Sequence, residues 1–181
     1  HGNHHGNHHG NHHGNCLALA PENSWWSPCP EPGPGGERGL IGQWTFDDSN
    51  VSGRLVQDRA GGFDGTIQGE YELLASPPAL VLDGSSTFVR LDLPGGSSAL
   101  PQRALTAEAW VAVNEGTTWG GILGYMQDNG DFERGWVLGY DESHFTIALS
   151  SGSLTYLAGD TEFQPGTFAF AAAGVGGWVP A

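Results

Sequence analysis

Lysine is absent from this chain of 181 residues, so all six of its basic residues are arginines. They are set against 20 acidic residues, which gives a formal net charge of −14 at pH 7. A field of this sign repels the phosphate backbone, and the composition therefore argues against nucleic acid as a partner. The chain also lacks any apolar run near the ~18–20 residues that a membrane-spanning helix needs, so we predict no membrane span.

The residue patterns that would indicate an enzyme are missing as well. Retaining glycoside hydrolysis needs two carboxyls ~5 Å apart, but the chain has no run of three alternating acidic residues along one strand. Glu70 with Glu72 and Asp131 with Glu133 are isolated pairs beside turn residues, as is typical of solvated loops. His144 has no serine or cysteine nucleophile motif nearby. We therefore predict a protein without catalytic activity.

The balance of residue types favours a secreted protein. Charged residues make up only 14% of the chain, whereas glycine contributes 30 residues, well above its usual share of ~7%. A chain poor in charge and rich in glycine and serine is typical of β-rich or repeat-bearing extracellular proteins. We predict an extracellular location.

The composition changes twice along the chain and divides it into three segments. Residues 1–15 repeat histidine, glycine and asparagine with a period of four and hold seven of the eight histidines. Residues 16–36 form a Pro-rich neck that contains both cysteines, and residues 37–181 have the composition of a globular domain. We place the boundary within 30–36 (PEPGPGG), because Pro-rich spacers are stiff and cannot join a central strand.

Cys16 and Cys29 are the only cysteines of the chain. They enclose a loop without a core of its own and without CxxC character, and a disulfide between them would stabilise the fold by about 3 kcal/mol. A zinc site would need more ligands at closer spacing, with His12 and His13 as candidates. We predict the disulfide and keep the zinc site as its alternative.

Three interpretations of the repeat in residues 1–15 compete. It is an added purification tag, a structural array, or a segment that captures Cu, Ni or Zn through neutral imidazoles. A period of four fits neither a 3.6-residue helix nor a three-residue polyproline turn, but it is commensurate with an extended strand. The metal-binding interpretation depends on His4, His5, His8, His9, His12 and His13.

The same repeat buries almost no apolar surface, so it should be disordered by itself. Packing against other chains, bound metal or attached sugar would be needed to order it. In form it resembles extracellular fibrils that are built from a linear tetrapeptide repeat and sheathed in glycan. That resemblance implies self-association into a filament, with covalent or bound glycans as partners.

The apolar pattern of residues 37–181 predicts strands. Short apolar runs recur between Gly, Asn, Asp or Pro clusters, and no window has the sustained i, i+3, i+4, i+7 spacing of a capped helix. Ala107 and Ala109 alternate with Glu108 and Trp110, as a strand of a two-layer sandwich requires. We predict strands at 39–46, 80–82 with 88–93, 105–113, 121–125, 135–140, 145–149 and 153–157.

Six motifs follow one another in a specific order along this domain. They are GQWTFDD at 42–48, DRAGGFDGTI at 58–67, ALVLDGSSTFVRLDL at 79–93, LTAEAWVAV at 105–113, GWVLGYDESHFTIAL at 135–149 and FQPGTFAFAA at 163–172. In this order and spacing, the chain from about 39 to 172 resembles the laminin-G-like, concanavalin-A-like jelly-roll domains of many extracellular proteins. The resemblance implies an all-β fold, an antiparallel jelly-roll β-sandwich.

Two departures from that family affect the edge of the sheet. The family's W-H-H-V-A strand stands here as TFAFAAAGVGGWVPA, without its histidines. The resemblance also implies further strands beyond Ala181 that pair with the first ones. We therefore expect an open sheet edge, either because the sequence is a fragment of a longer one or because a neighbouring chain completes the sheet, since unpaired edges recruit strands.

Related domains often hold Ca²⁺ at a rim of the sandwich, through the oxygen ligands that this ion prefers. The resemblance makes Asp47, Asp58 and Asp64 the candidate ligands. The family's Asn and Ser in the same loop are replaced by Gly62 and Ala60, which removes side-chain oxygens. Turn chemistry alone would also explain these aspartates.

Two kinds of sugar site are predicted. A sugar-binding groove needs aromatic platforms beside polar groups, for which the candidates are Trp119, Tyr125, Trp136 and Tyr140, with a place in the core as the alternative. Asn50 begins an N-glycosylation sequon, Asn-Val-Ser, in a predicted surface loop.

Together, these features predict a secreted, non-catalytic structural protein, a subunit or terminal piece of an extracellular fibre or surface appendage. One alternative is a calcium-dependent carbohydrate-binding or adhesion module. The other is metal binding by the histidine repeat.

Overall fold

The computed structural model describes residues 15–19, 39–60, 62–94, 99–101, 104–128, 133–151 and 154–176. Within these ranges the chain forms strands and no α-helix, which confirms the all-β prediction. The strands are β1 (Asn15–Leu19), β2 (Leu40–Trp44), β3 (Val51–Ser52), β4 (Leu55–Val56), β5 (Gly65–Gln68), β6 (Glu72–Ala75), β7 (Pro78–Val81), β8 (Phe88–Leu91), β9 (Ala104–Val111), β10 (Gly120–Asp128), β11 (Glu133–Asp141), β12 (His144–Ser151), β13 (Leu154–Glu162) and β14 (Ala169–Gly176).

The first sheet has the strand order β14-β9-β1-β2. β14 pairs antiparallel with β9, whereas β1 lies between β9 and β2 and runs parallel to both. β1 thus joins the end of the repeat and the start of the predicted neck to the sheet of the domain. Its residues precede the first proline of the chain, Pro21, so each of them has a backbone N–H for a ladder.

The remaining strands form three antiparallel sheets. The second sheet is the meander β10-β11-β12-β13, the third has the order β3-β4-β5-β8, and β6 pairs with β7 alone. Asp83 and Gly84 lie in the bend between β7 and β8, with a φ of 71° at Gly84. The strands on either side of this bend, β7 and β8, nevertheless belong to different sheets.

One buried cluster joins the three four-stranded sheets. Among its members with the lowest exposure are Trp44 of β2, Val56 of β4, Ile67 of β5, Leu105 of β9 and Leu138 of β11. Each of these sheets therefore has one face toward the common core and one face away from it. We call the second of these the outer face of a sheet.

The alternation predicted for β9 is present, with one departure. Ala107 and Ala109 face the core at 0% and 1% exposure, and Trp110 is 39% exposed on the outer face. The alternation of the strand places Glu108 on the same outer face as Trp110. Glu108 is nevertheless only 5% exposed, and its Oε2 has no hydrogen-bond partner. Burial raises the pKa of this carboxyl, because desolvation disfavours its charged form.

We expect the Glu108→Gln variant to be more stable than the wild type at pH 7. Since the folded-state pKa of Glu108 lies above the unfolded-state value of 4.5, the wild type loses stability as the pH rises from that value through the folded-state pKa. The advantage of the uncharged variant should shrink toward pH 4, where both states hold the proton more fully. Thermal melting at the two pH values measures it, and a variant that melts lower at pH 7 would contradict a buried ionised carboxyl.

Candidate functional site

Asp58, in the loop between β4 and β5, is a structural carboxylate. It is 7% exposed. Its two oxygens accept hydrogen bonds from the backbone N–H groups of Gln43 at 2.7 Å, Ala60 at 2.9 Å, Gly62 at 3.0 Å and Phe63 at 2.8 Å. Asp58 therefore ties the loop to β2, and the two residues that lack the family's side-chain oxygens contribute backbone donors instead.

The predicted calcium ligands do not converge in a way that fits the ion. Asp64 does lie beside Asp58: the backbone N–H of Asp58 donates a hydrogen bond to Oδ1 of Asp64 at 2.9 Å. Asp47 belongs to a separate turn, where it accepts hydrogen bonds from Ser49 and Asn50. Desolvation raises the pKa of Asp47, but these hydrogen bonds outweigh it and hold that pKa well below its usual range.

A calcium ion needs carboxylate oxygens that are directed at it, whereas both oxygens of Asp58 already serve backbone N–H groups. In the part of the chain that the structure describes, no group of three His, Cys, Asp or Glu side chains could hold a metal ion. The donor set around Asp58 therefore does not fit calcium as it stands.

A depression of about 730 Å³ opens beside this loop. It is lined by Gln57, Asp58, Gly62, Asp64, Asp92, Leu93 and Pro94. Its three carboxyl groups disfavour an anionic ligand. One of them, that of Asp58, already accepts hydrogen bonds from backbone N–H groups.

The sequon residue Asn50 is buried, although Asp48 and Ser49 before it in the same turn are exposed. It is 9% exposed, and its Nδ2 donates to both carboxylate oxygens of Asp47 at 2.9 Å and to Ser49 Oγ at 3.0 Å. A glycan on this nitrogen would have to be attached before the turn closes, and it would displace these contacts.

The four aromatic candidates lie in different environments. Trp136 is 2% exposed and belongs to the core, so it cannot serve as a platform. Tyr140 is half-buried and packs edge-on against Phe163, with ring centroids 5.8 Å apart. Tyr125 is 41% exposed and pairs in register with Trp136, whereas Trp119 is 66% exposed. Trp119 is thus the most accessible of the four.

Trp119 stacks against Tyr156, with ring centroids 4.8 Å apart and ring planes inclined by 44°. Trp119 immediately precedes β10 and Tyr156 lies in β13, and these two strands are the opposite edges of the second sheet. The pair therefore connects the first and the last strand of this sheet, unlike a pair on neighbouring strands.

Several residues near Tyr156 on the outer face of this sheet are small. Tyr156 pairs in register with Ala148, which is 1% exposed although it alternates away from the core. Ala148 pairs with Val137, and Val137 pairs with Gly124. Gly139 lies on the same face and is buried too. Because so little side chain stands on this part of the sheet, two aromatic rings can lie close to its surface.

The backbone of Trp119 is left-handed, with a φ of 64°. This conformation is an outlier for a bulky residue and costs on the order of 1–3 kcal/mol. Contacts with the β11–β12 turn hold it: Glu142 N donates to Thr117 O at 3.1 Å, and a Cβ at Gly116 would lie 2.2 Å from Glu142 O. These contacts hold the loop before Trp119 against the β11–β12 turn.

Polar groups lie at the same end of the sheet. Gly120 pairs with Tyr140 in the antiparallel β10–β11 ladder. Trp119, which precedes Gly120, therefore lies at the same end of the ladder as Asp141, which follows Tyr140. Asp141 pairs in register with His144, and its Oδ1 is buried without a hydrogen-bond partner. An exposed ring pair can hold a ligand that has an apolar face, whereas the buried Oδ1 of Asp141 is not accessible to such a ligand.

Sequence reasoning identified Trp119 but missed Tyr156. Trp119 carried a signal, because it stands in Thr-Thr-Trp-Gly-Gly, a turn context in which a core tryptophan is unexpected. Tyr156 carried none. Along β13 nearly every residue is exposed on both faces, so this strand has no alternation from which one side chain could be singled out.

Several predictions concern residues outside the described ranges. The histidines of the repeat, His4, His5, His8, His9, His12 and His13, lie there, as does Cys29. Of the predicted disulfide, only the backbone of Cys16 is described, as part of β1. Both the disulfide and the repeat's metal site stay predictions.

Comparison with protein-family models, with curated proteins and with solved structures finds no match for this chain. Among the described residues, no helix is long and apolar enough to cross a membrane. Any proposal for the function therefore depends on the geometry of the molecule itself.

Proposed function

We propose that this protein is a non-catalytic, extracellular carbohydrate-binding module that holds a glycan on the outer face of its second sheet. The observation that carries the proposal is the Trp119–Tyr156 pair. An exposed tryptophan in a strained backbone contacts a tyrosine from the far edge of the sheet. The antiparallel sheets around one core are compatible with a laminin-G-like jelly roll, which we propose as the finer fold.

The chemistry of this face favours a neutral sugar. The formal net charge of −14 repels anionic glycans. A pyranose ring can place its C–H face on the exposed aromatic pair. The face is an open surface and not a closed cavity, so it fits an internal stretch of a polysaccharide.

The test is binding to an array of neutral and acidic glycans. We expect the wild type to retain neutral oligosaccharides, and Trp119→Ala or Tyr156→Ala to lower the affinity about tenfold or more, because each change removes a ring of the platform. The effect should persist in the presence of a chelator, since no calcium ligand belongs to this face.

Trp110 and Phe170 provide a matched control. They are also a stacked, exposed aromatic pair, with centroids 5.5 Å apart, but on the first sheet and between neighbouring strands in register. Trp110→Ala should leave glycan binding unchanged. If it lowers the affinity as much as Trp119→Ala does, or if the wild type retains no glycan at all, the proposal is wrong.

A second candidate function, the subunit of an extracellular fibre, is favoured by a different observation. β1 comes from the segment next to the repeat, yet it completes the first sheet of the domain. β13 adds an edge strand that is exposed on both faces, and such edges can recruit further strands. Negatively stained preparations over a range of protein concentrations test this candidate, and the absence of filaments at all of them would contradict it.

A further inference from the structure

β1 is held in the first sheet by two parallel ladders. It pairs with β2 from Cys16 to Leu19 and with β9 from Asn15 to Leu19. Its neighbours β2 and β9 do not pair with each other. Without β1, the described part of this sheet would separate into the β14–β9 pair and β2, with two unpaired edges facing a gap one strand wide.

The connection between β1 and β2 is much longer than the structure requires. Twenty residues, 20–39, separate the two strands. A parallel crossover needs a dozen or more residues and must run back along a five-residue strand, a distance of ~17 Å. Twenty residues extend up to ~66–72 Å. The same connection can therefore place β1 in the gap of its own domain or in that of a neighbour.

We propose that copies of this chain exchange β1, so that Asn15–Leu19 of one copy fills the gap between β2 and β9 of the next. Exchange re-forms the same two ladders and therefore costs little. The donated strand and the accepting gap are different surfaces, which makes the contact heterologous, and such contacts propagate in a line unless they close into a ring. This inference rests on the fibre candidate above and supplies its linkage.

The experiment uses full-length chains labelled with ¹⁴N or ¹⁵N. Both carry Ala18→Cys and Gln43→Cys, which are register partners on β1 and β2. The two populations are refolded together from urea in the reduced state at high protein concentration, then oxidised and digested. Mass spectrometry then shows whether the two halves of each disulfide-linked 18–43 peptide carry the same nitrogen isotope or different ones. Exchange predicts mixed-isotope links approaching about half of the total at equal mixing, and fewer when the same mixture is refolded dilute.

The control carries Val137→Cys and Ala148→Cys, partners in the β11–β12 hairpin, whose short turn keeps both strands in one chain. Its links should contain a single isotope. If the 18–43 links also contain a single isotope at every concentration, β1 is not exchanged and the inference is wrong, even if filaments form by another contact. Mixed links in particles that light scattering shows to be closed dimers would support exchange but contradict the fibre candidate.

Discussion

Replacement of Asp58 by alanine is expected to lower the free energy of unfolding by about 3–5 kcal/mol. Four backbone N–H groups lose their acceptor, and each buried donor left unsatisfied costs about 1–3 kcal/mol, part of which water can recover in the opened loop. The loop also carries Phe63, whose carbonyl accepts the indole N–H of the buried Trp44 at 2.7 Å. Urea titration of the variant and the wild type measures the difference.

Asp83 provides the matched control for this prediction. It also accepts hydrogen bonds from three backbone N–H groups, at 2.8–2.9 Å. The hydrogen bond from the Ser86 hydroxyl, followed by these backbone bonds, holds the pKa of Asp83 well below its usual range. Because its turn is exposed, water can replace the carboxylate, and Asp83→Ala should cost clearly less than Asp58→Ala. An Asp58→Ala variant as stable as the wild type, or one destabilised only when calcium is present, would contradict a backbone-binding role.

The Gly135→Ala variant is expected to lose about 3–5 kcal/mol of stability. Gly135 has a φ of 124°, a region in which a side chain costs about 1–3 kcal/mol, and overpacking adds about 1–3 kcal/mol. A Cβ there would lie 1.9 Å from Tyr125 O and 2.9 Å from Met126 Cα, so the β10–β11 ladder would have to open. That ladder also aligns the start of β10, next to Trp119, with the end of β11.

Gly53 separates the contribution of backbone strain from that of the contact. Its φ is 57°, but a Cβ there would meet nothing within 4 Å, so Gly53→Ala should cost only about 1–2 kcal/mol. Thermal or urea unfolding of the two variants gives the comparison. Equal losses at both positions would show that the close approach at Gly135 is relieved without cost.

The strands that the sequence predicts correctly are those with strong local patterns. In β9 and in the meander from β10 to β13, apolar runs between turn residues marked the elements before any pairing was known. β3 and β4 have only two residues each, too few for a periodic pattern. β1 could not be predicted, because its partners lie 25 and 90 positions further along the chain and nothing local specifies a parallel pairing.

The functional predictions were limited by a different ambiguity. An aspartate followed by small residues has the same sequence whether its oxygens bind a cation or backbone N–H groups, and only the fold shows that Asp58 serves the backbone. Aromatic residues in strands are equally ambiguous until the pairing register is known. The register places Trp136 in the core and brings Tyr156 to Trp119 across the sheet.

Trp119 is the residue through which the proposed glycan site contacts sugar most directly. Indole N–H resonances of the ¹⁵N-labelled protein, assigned with a Trp119→Phe variant, can be followed during titration with neutral hexasaccharides of β-1,4-linked glucose, N-acetylglucosamine and mannose. We predict that at least one of them shifts the Trp119 signal in a saturable way, while the signal of Trp44, which is 1% exposed, stays in place. A Trp119 signal unmoved by every sugar that the array shows to bind would contradict the account.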